Sequence, residues 1–426
     1  MPSPRPTDGA FSPLRFREFR LFWIGHFISR IGDSMQQTAV SWLLYELTRS
    51  PLQLGLNGAF RAVPLVAFGL FGGTIADRFD RKRILLCTQI TLMFLAFILG
   101  FLAQTGRIQV WHIYAFTLVA AVIQSIDAPA RQALVPSLVP RPVLPNAIAL
   151  NSLLWKGTIL LGPSLAGIAI STVGTDGAFY ANGASFLAVV LALRSMKISS
   201  AGAFRTGGFF TELRRGLSYV RSQRIILAIM LMEAFSSVFG LDSAMLTIFA
   251  SDILHAGAAG LGFLQSSRGL GAVLGSGLLV AIGHQRAQGK ILLYSAVVYG
   301  MSFALFGISR QFIVSLLLIF VVGAADTIWG AMRNTILQLK TPEQLQGRVM
   351  GVFGLCSRGL SPLGQLETGL VVPLIGAREA TFLGGAIVLC ASLLTAWRVP
   401  DVHRFSRQRS DLRDAQKGPS DPRNRV

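Results

Sequence analysis

Residues 53–104 read QLGLNGAFRAVPLVAFGLFGGTIA (53–76), DRFDRKR (77–83) and ILLCTQITLMFLAFILGFLAQ (84–104). Each apolar flank is long enough to cross a hydrocarbon core of about 30 Å. The seven residues between them carry Asp77, Arg78, Asp80, Arg81, Lys82 and Arg83, which belong at a water interface. The pattern is therefore span, charged turn, span, and it repeats along the chain. Apolar stretches occupy 19–47, 53–76, 84–104, 110–132, 144–171, 177–196, 225–250, 258–282, 290–308, 311–337, 347–373 and 377–397. Glycines within several of them fit close helix packing in a bilayer. The expected fold class is an all-α membrane protein with twelve transmembrane helices.

Composition agrees. Of 426 residues, 52% are hydrophobic and 14% charged, against roughly 25% charged in a soluble domain. That excludes a soluble enzyme. Cys87, Cys356 and Cys390 are far apart in sequence, and the histidines (His26, His112, His255, His284 and His403) are scattered. Neither set suggests a disulfide scaffold or a metal site. No GxxxxGK[ST] loop is present, so no nucleotide site is expected, and no cofactor. Residues 1–18 are Pro-rich and basic without an apolar signal core, so the first span is expected to remain in the protein.

The net charge of +19 raises nucleic-acid binding only if the basic residues form a patch. They do not. With the N-terminus inside, 30 Lys and Arg fall on inner segments, Arg49, Arg107, Arg310 and Arg378 fall outside, and five lie within spans. This bias orients the chain with both termini cytoplasmic, in a cell (inner or plasma) membrane. The charge reports topology, and the expected partners are the lipid bilayer, protons and a small molecule rather than nucleic acid. The chain is expected to act as a monomer.

The two halves repeat. An offset of 207 aligns Gly55 and Arg61 with Gly262 and Arg268, and an offset of 202 aligns Arg131 with Arg333 and Lys156-Gly157 with Arg358-Gly359. Same-sense repeats six spans apart imply two six-helix bundles around a central cavity, the plan of a transporter. The expected organisation is a cytoplasmic segment 1–18, an N-terminal bundle 19–197, a cytoplasmic linker 198–224, a C-terminal bundle 225–397, and a disordered cytoplasmic tail 398–426. Within the linker, the helical periodicity of Phe209–Val220 suggests an amphipathic helix on the inner leaflet.

Charges inside spans are costly and are functional candidates. His26, Arg30, Asp33 and Gln37 recur on one helical face, a polar stripe expected to look into the cavity. Asp33 and Arg61 fall at a common depth, roughly 10–12 Å from the outer surface at 1.5 Å per residue, and are expected to pair. Asp242 and Arg268 repeat them in the second half. A carboxylate that exchanges an Arg partner for a proton provides proton coupling and gating; a fixed structural bridge is the alternative. Lys156, Glu233, Asp326, Arg358 and Glu367 complete the buried set. Lys156 and Arg358, at equivalent positions of the repeat, suit an anionic group.

Gly73-Thr-Ile-Ala-Asp77-Arg78-Phe-Asp80-Arg81-Lys82-Arg83 resembles the loop 2–3 signature of the major facilitator superfamily, G-x-x-x-D-R-x-G-R-K-x, with Asp80 where the family usually has Gly. Gly162-Pro163-Ser-Leu-Ala166-Gly167 is similar to the antiporter signature GPxxGG. Arg30-Ile-Gly-Asp33-Ser, Asp127-Ala-Pro129-Ala-Arg131 and Gln346-Gly347-Arg348 resemble the drug:proton antiporter branch, which includes macrolide efflux pumps and enterobactin exporters. The resemblance covers about residues 15–397. It implies two pseudo-symmetric six-helix bundles, alternating access, and proton-coupled export of a small amphiphilic compound such as a drug or siderophore. A lysophospholipid or uptake carrier of the same fold is the alternative, and a non-transporting membrane receptor is the alternative from another class. The resemblance further implies a cytoplasmic latch of Gly73, Asp77, Arg78, Arg81 and Asp127, with Arg81 joining Asp77 to Asp127, and an antiporter motif at Gly162, Pro163 and Gly167. No nucleophile–base set or ligand cluster for an enzyme is present.

Overall fold

The computed structural model describes residues 9, 11–78, 80–197, 217–282 and 287–405; within these, the side chains of residues 65, 66, 68–78, 282, 343, 355 and 358 fall outside the description. Its helices lie on the apolar stretches one after another. They begin with α1 (Arg17–Thr48), α2 (Pro51–Arg78), α3 (Arg81–Gln104) and α4 (Val110–Leu138). The next stretch, Leu144–Ser195, is two helices, α5 (144–173) and α6 (175–195), because Gly174 has φ 85° and ψ 173°. A residue with a Cβ is strained in that conformation.

The second half is less regular. Its first segment, α7, breaks into Arg224–Phe239, Ser243–Ile248 and a π-turn Phe249–Ile253. Then come α8 (Gly257–Ile282), α9 (Gln288–Ile308) and α10 (Phe312–Lys340). The eleventh segment, α11, is Glu343–Gly354, a π-turn Leu355–Gly359 and Ser361–Ile375, and α12 is Ala377–Arg398. Continuous helices were expected over 225–250 and 347–373. At Gly240 the backbone instead turns extended and Asp242 caps the next helix through Met245 N at 2.8 Å. Among the described residues, seven helical stretches are long and apolar enough to cross a membrane, including the 55-residue Arg141–Ser195.

Local chemistry sets the helix ends. Asp80, the departure from the loop signature, is the N-cap of α3: its carboxylate accepts from Lys82 N at 2.9 Å. A glycine there has no acceptor to offer. Gln109 and His112 close a capping box at the start of α4. Arg49, after α1, takes a left-handed φ of 50°.

Two differences concern the linker and the tail. The described end of the linker is helical over 217–222; residues 209–216 of the expected amphipathic helix lie outside the described residues. Residues 399–405 belonged to the expected disordered tail, yet Pro400–His403 forms a helical turn with Val402 and Phe405 buried. Gly289 N donates to Phe405 O at 3.2 Å, and Lys340 Nζ lies 5.2 Å from the Phe405 ring. Two buried apolar side chains, a backbone hydrogen bond and a cation–ring contact hold a segment that the composition alone marked as unstructured. Residues 406–426 lie outside the described residues.

The repeat organises the packing. A Cβ on Gly167 (α5) would lie 3.1 Å from Gly262 Cα (α8), and a Cβ on Gly55 (α2) would lie 2.9 Å from Gly369 Cα (α11). Offsets of 207 and 202 carry Gly55 onto Gly262 and Gly167 onto Gly369, so these are one contact made twice about a pseudo-two-fold axis. Gly162 and Gly364, also 202 apart, behave alike. A Cβ on the first would come 3.2 Å from Ile31 O of α1, and on the second 3.0 Å from Val238 O of α7. The two bundles therefore meet backbone to backbone along α5–α8 and α2–α11, where only glycine fits.

Because overpacking costs roughly 1–3 kcal/mol, Gly262→Leu is expected to lower the melting temperature of the detergent-solubilised protein by several degrees. Gly277→Leu, on the same helix with nothing within 4 Å of its Cβ, should leave it unchanged; differential scanning fluorimetry of the pair is the check.

Candidate functional site

A cavity of about 240 Å³ lies between the bundles. The N-terminal half supplies Asp33, Gln36, Gln37 and Thr38 from α1, Asn57 and Arg61 from α2, and Thr117 and Gln124 from α4. The C-terminal half supplies Ser243 and Leu246 from α7, Gln265 and Arg268 from α8, and Gln365 from α11. Leu92, Phe116, Ile159, Pro163 and Phe186 give it an apolar side. An apolar body with a few converging polar groups is the usual make-up of a small-molecule site.

The halves are bonded as well as packed around this cavity. Thr38 Oγ1 donates to Gln265 Oε1 at 2.8 Å, Ser164 and Ser266 share a hydroxyl contact, and Ser266 Oγ donates to Leu160 O at 2.9 Å. At the far end of α1, Tyr45 donates to Asp252 and Arg49 donates to Ser251 Oγ at 2.9 Å. These last contacts lie at the face opposite the chain termini.

The expected ion pairs are rearranged. Asp33 does not pair with Arg61: its partner is Arg30, one turn away on α1, at 3.3 Å. Arg61 instead donates to Gln37 Oε1 at 3.2 Å. Nor does Asp242 pair with Arg268. Thr368 Oγ1 donates to Asp242 at 2.6 Å, and the other carboxylate oxygen caps the helix at Met245. Arg268 bridges to Asp326 on α10 at 3.2 Å. Equal depth placed these groups at one level, but the azimuth of each side chain decided its partner.

His26 and Arg30 of the stripe do not reach the cavity, whereas Asp33 and Gln37 do. His26 is 3% exposed; it stacks on Phe22 and faces Arg131 on α4, at 2.9 and 3.0 Å from its two ring nitrogens. The Arg30 guanidinium lies 3.9 Å from the Trp155 ring centroid. Asp127 pairs with Arg131 and accepts from Thr88 Oγ1 at 2.8 Å and Gln89 Nε2 at 2.9 Å. The expected link from Arg81 to Asp127 is absent, since Arg81 donates to Ala133 O at 3.0 Å. The side chains at Gly73, Asp77 and Arg78 lie outside the described residues, as does that of Arg358. Lys156 binds Ser276 on α8 rather than the cavity. Glu233 is buried against Arg333, whose guanidinium lies 5.6 Å from the Trp329 ring and 4.7 Å from that of Phe353. Gly162 and Gly167 pack helices, and Pro163 lines the cavity.

Here too the repeat is informative. Offset 207 carries His26 to Glu233, and 202 carries Arg131 to Arg333 and Asp127 to Trp329. Each bundle thus clamps its first and fourth helices through one arginine. The neutralising carboxylate sits on α4 in one half and on α7 in the other. Sequence reasoning missed the amides Gln36, Asn57, Gln124, Gln265 and Gln365, because single uncharged polar residues in long spans carry no depth signal.

Residues 8–417 match the model of the transmembrane secretion effector family, and the chain belongs to that family within the major facilitator superfamily. Macrolide efflux protein A of Streptococcus pyogenes is 22% identical over 88% of this chain and 95% of its own length. The enterobactin exporter of Shigella boydii is 24% identical over 79% of this chain and 80% of its own. Among solved structures, a POT family transporter in complex with a thioalcohol-conjugated peptide matches with a TM-score of 0.72 at 12% identity, covering 91% of this chain and 96% of that one. A bacterial homologue of the iron transporter ferroportin, in an inward-facing state, matches at 0.68 and 16% identity, covering 89% and 97%. The fold is the major facilitator fold, and the protein is a multi-pass membrane transporter, not an enzyme.

Removing one partner of a buried ion pair costs about 3–5 kcal/mol, whereas replacing both with apolar groups is often near neutral. Glu233→Leu is therefore expected to destabilise the protein strongly, and Glu233→Leu with Arg333→Met much less. Thermal unfolding of both variants in detergent measures the difference.

Proposed function

We propose that this major facilitator superfamily transporter exports a small amphiphilic compound, a drug or siderophore, from the cytoplasm in exchange for protons by alternating access. The observation that carries the reading is the polar cavity between two bundles that touch through symmetry-related glycine contacts. Such contacts hold by close packing alone, so along these seams the bundles part without breaking an ion pair and reform in register; an ion pair between the halves, Arg49 with Asp252 at 3.8 Å, lies at the end of α1. The names of the macrolide and enterobactin relatives support the outward direction. The 30-to-4 placement of basic residues supports cytoplasmic termini in the inner or plasma membrane.

In this mechanism Asp33 and Asp242 are the proton carriers. Asp33 lines the cavity and is held by Arg30; taking a proton removes the attraction and frees the guanidinium, which keeps its stacking on Trp155. Asp242 caps a helix at the break in α7. Protonation weakens that cap and loosens the hinge beside the cavity. The transporter works as a monomer, since cavity and hinge both belong to one chain.

Inverted vesicles test this. Accumulation of an exported compound is expected to require an acidified lumen, from which protons leave as the compound enters, and to collapse with a protonophore; accumulation indifferent to the gradient overturns antiport. Ser164→Cys with Ser266→Cys places two thiols at a hydroxyl contact between the halves. Oxidation is expected to stop transport and dithiothreitol to restore it.

A further inference from the structure

Arg61 and Arg268 occupy equivalent positions of the repeat at offset 207. Their surroundings differ in one respect. Arg268 is neutralised by Asp326 on α10 at 3.2 Å. Offset 202, which carries Arg131 to Arg333, carries Gln124 to Asp326. The N-terminal half thus holds an amide where the C-terminal half holds a carboxylate. Among the described residues no carboxylate oxygen lies within 4.0 Å of Arg61. Its contact is the neutral oxygen of Gln37, and the nearby Asp33 is already engaged by Arg30. Arg61 and Gln124 both line the cavity.

The neighbouring amides point the same way. An amide has one accepting oxygen and one donating NH₂ group. The oxygen of Gln37 receives Arg61, that of Asn57 receives Thr117 Oγ1 at 2.8 Å, and that of Gln265 receives Thr38 Oγ1 at 2.8 Å. With their oxygens occupied by the protein, these three side chains have NH₂ donors left for the cavity. A guanidinium with no carboxylate in direct contact, beside a wall of donors, fits a ligand that brings a negative charge to it.

We propose that Arg61 anchors an anionic group of the transported compound, a carboxylate or another planar delocalised oxyanion. Gln37 and Asn57 donate to the same group, and Phe116 and Leu92 face the apolar body. This rests on the transport reading above and names the substrate class for that site. It replaces Lys156, whose amine is turned to Ser276, as the candidate for anion recognition. Gln124, at the position equivalent to Asp326 of the other half, is what leaves Arg61 without a carboxylate partner.

Equilibrium binding to the purified full chain tests it without any gradient. Fluorescein and rhodamine 123 share a xanthene scaffold but carry opposite charges, and fluorescence polarisation reads both. Wild-type protein is expected to bind fluorescein about tenfold or more tightly than rhodamine 123. Arg61→Gln, and Gln124→Asp, which recreates the pair of the other half, should each weaken fluorescein about tenfold and change rhodamine 123 by less than about twofold. Arg61→Lys should keep part of the preference. The proposal is overturned if the wild type does not prefer the anion, if fluorescein is unaffected by Arg61→Gln, or if both dyes weaken together. Should Gln124→Asp fail to fold by its melting curve, Arg61→Gln decides alone. Loss of proton dependence in vesicles sinks the antiport reading and leaves the dye preference standing.

Discussion

A charge inside hydrocarbon has to be answered by another charge, by hydrogen bonds or by water, and this constraint shapes the interior of both bundles. Asp127 shows it most completely: 1% exposed, it is met by Arg131, Thr88 and Gln89 from two helices. Glu233 and Arg333 answer one another in the second bundle. Glu233–Arg333 joins α7 to α10, and the Thr88 and Gln89 hydrogen bonds join α3 to α4 at Asp127, so neutralising the charge also fixes the helix arrangement. Arg61, in the wall of the cavity, is answered by the neutral oxygen of Gln37 rather than by a carboxylate in contact.

The second constraint is the absence of a hydrophobic drive between helices in lipid, where tails are as apolar as leucine. Cohesion between the bundles then depends on how closely backbones approach. Gly55 against Gly369 and Gly167 against Gly262 reach that limit. The duplication is informative, because a contact made twice about one axis gives both seams the same close backbone approach. Among the described residues α7 and α11 are interrupted by π-turns while α1–α4 run unbroken, so the halves share a plan but differ in helix continuity.

Much of the fold was legible from hydropathy, because a span has to be long and apolar whatever its neighbours are. The breaks at Gly240 and Leu355–Gly359 were not, since apolar length is the same for a continuous helix and a bent one. Ordering of Val402 and Phe405 was likewise hidden: composition marks a tail as polar without revealing that two residues find a groove. In the site, the in-span charges could be ranked by depth, and Asp33, Arg61 and Arg268 line the cavity together with Gln37. Their partners were not, and neither were the amides.

The order of spans, the bias of basic loops and the repeat offsets were set by the sequence alone, because each follows from lipid solubility along one dimension. Only the tertiary structure decided that Arg61 meets Gln37 and Arg268 meets Asp326, that His26 turns to Arg131, and that four glycines carry the seams. Those outcomes depend on the rotation of each helix about its own axis and on contacts between residues on different helices, which depth and periodicity leave open.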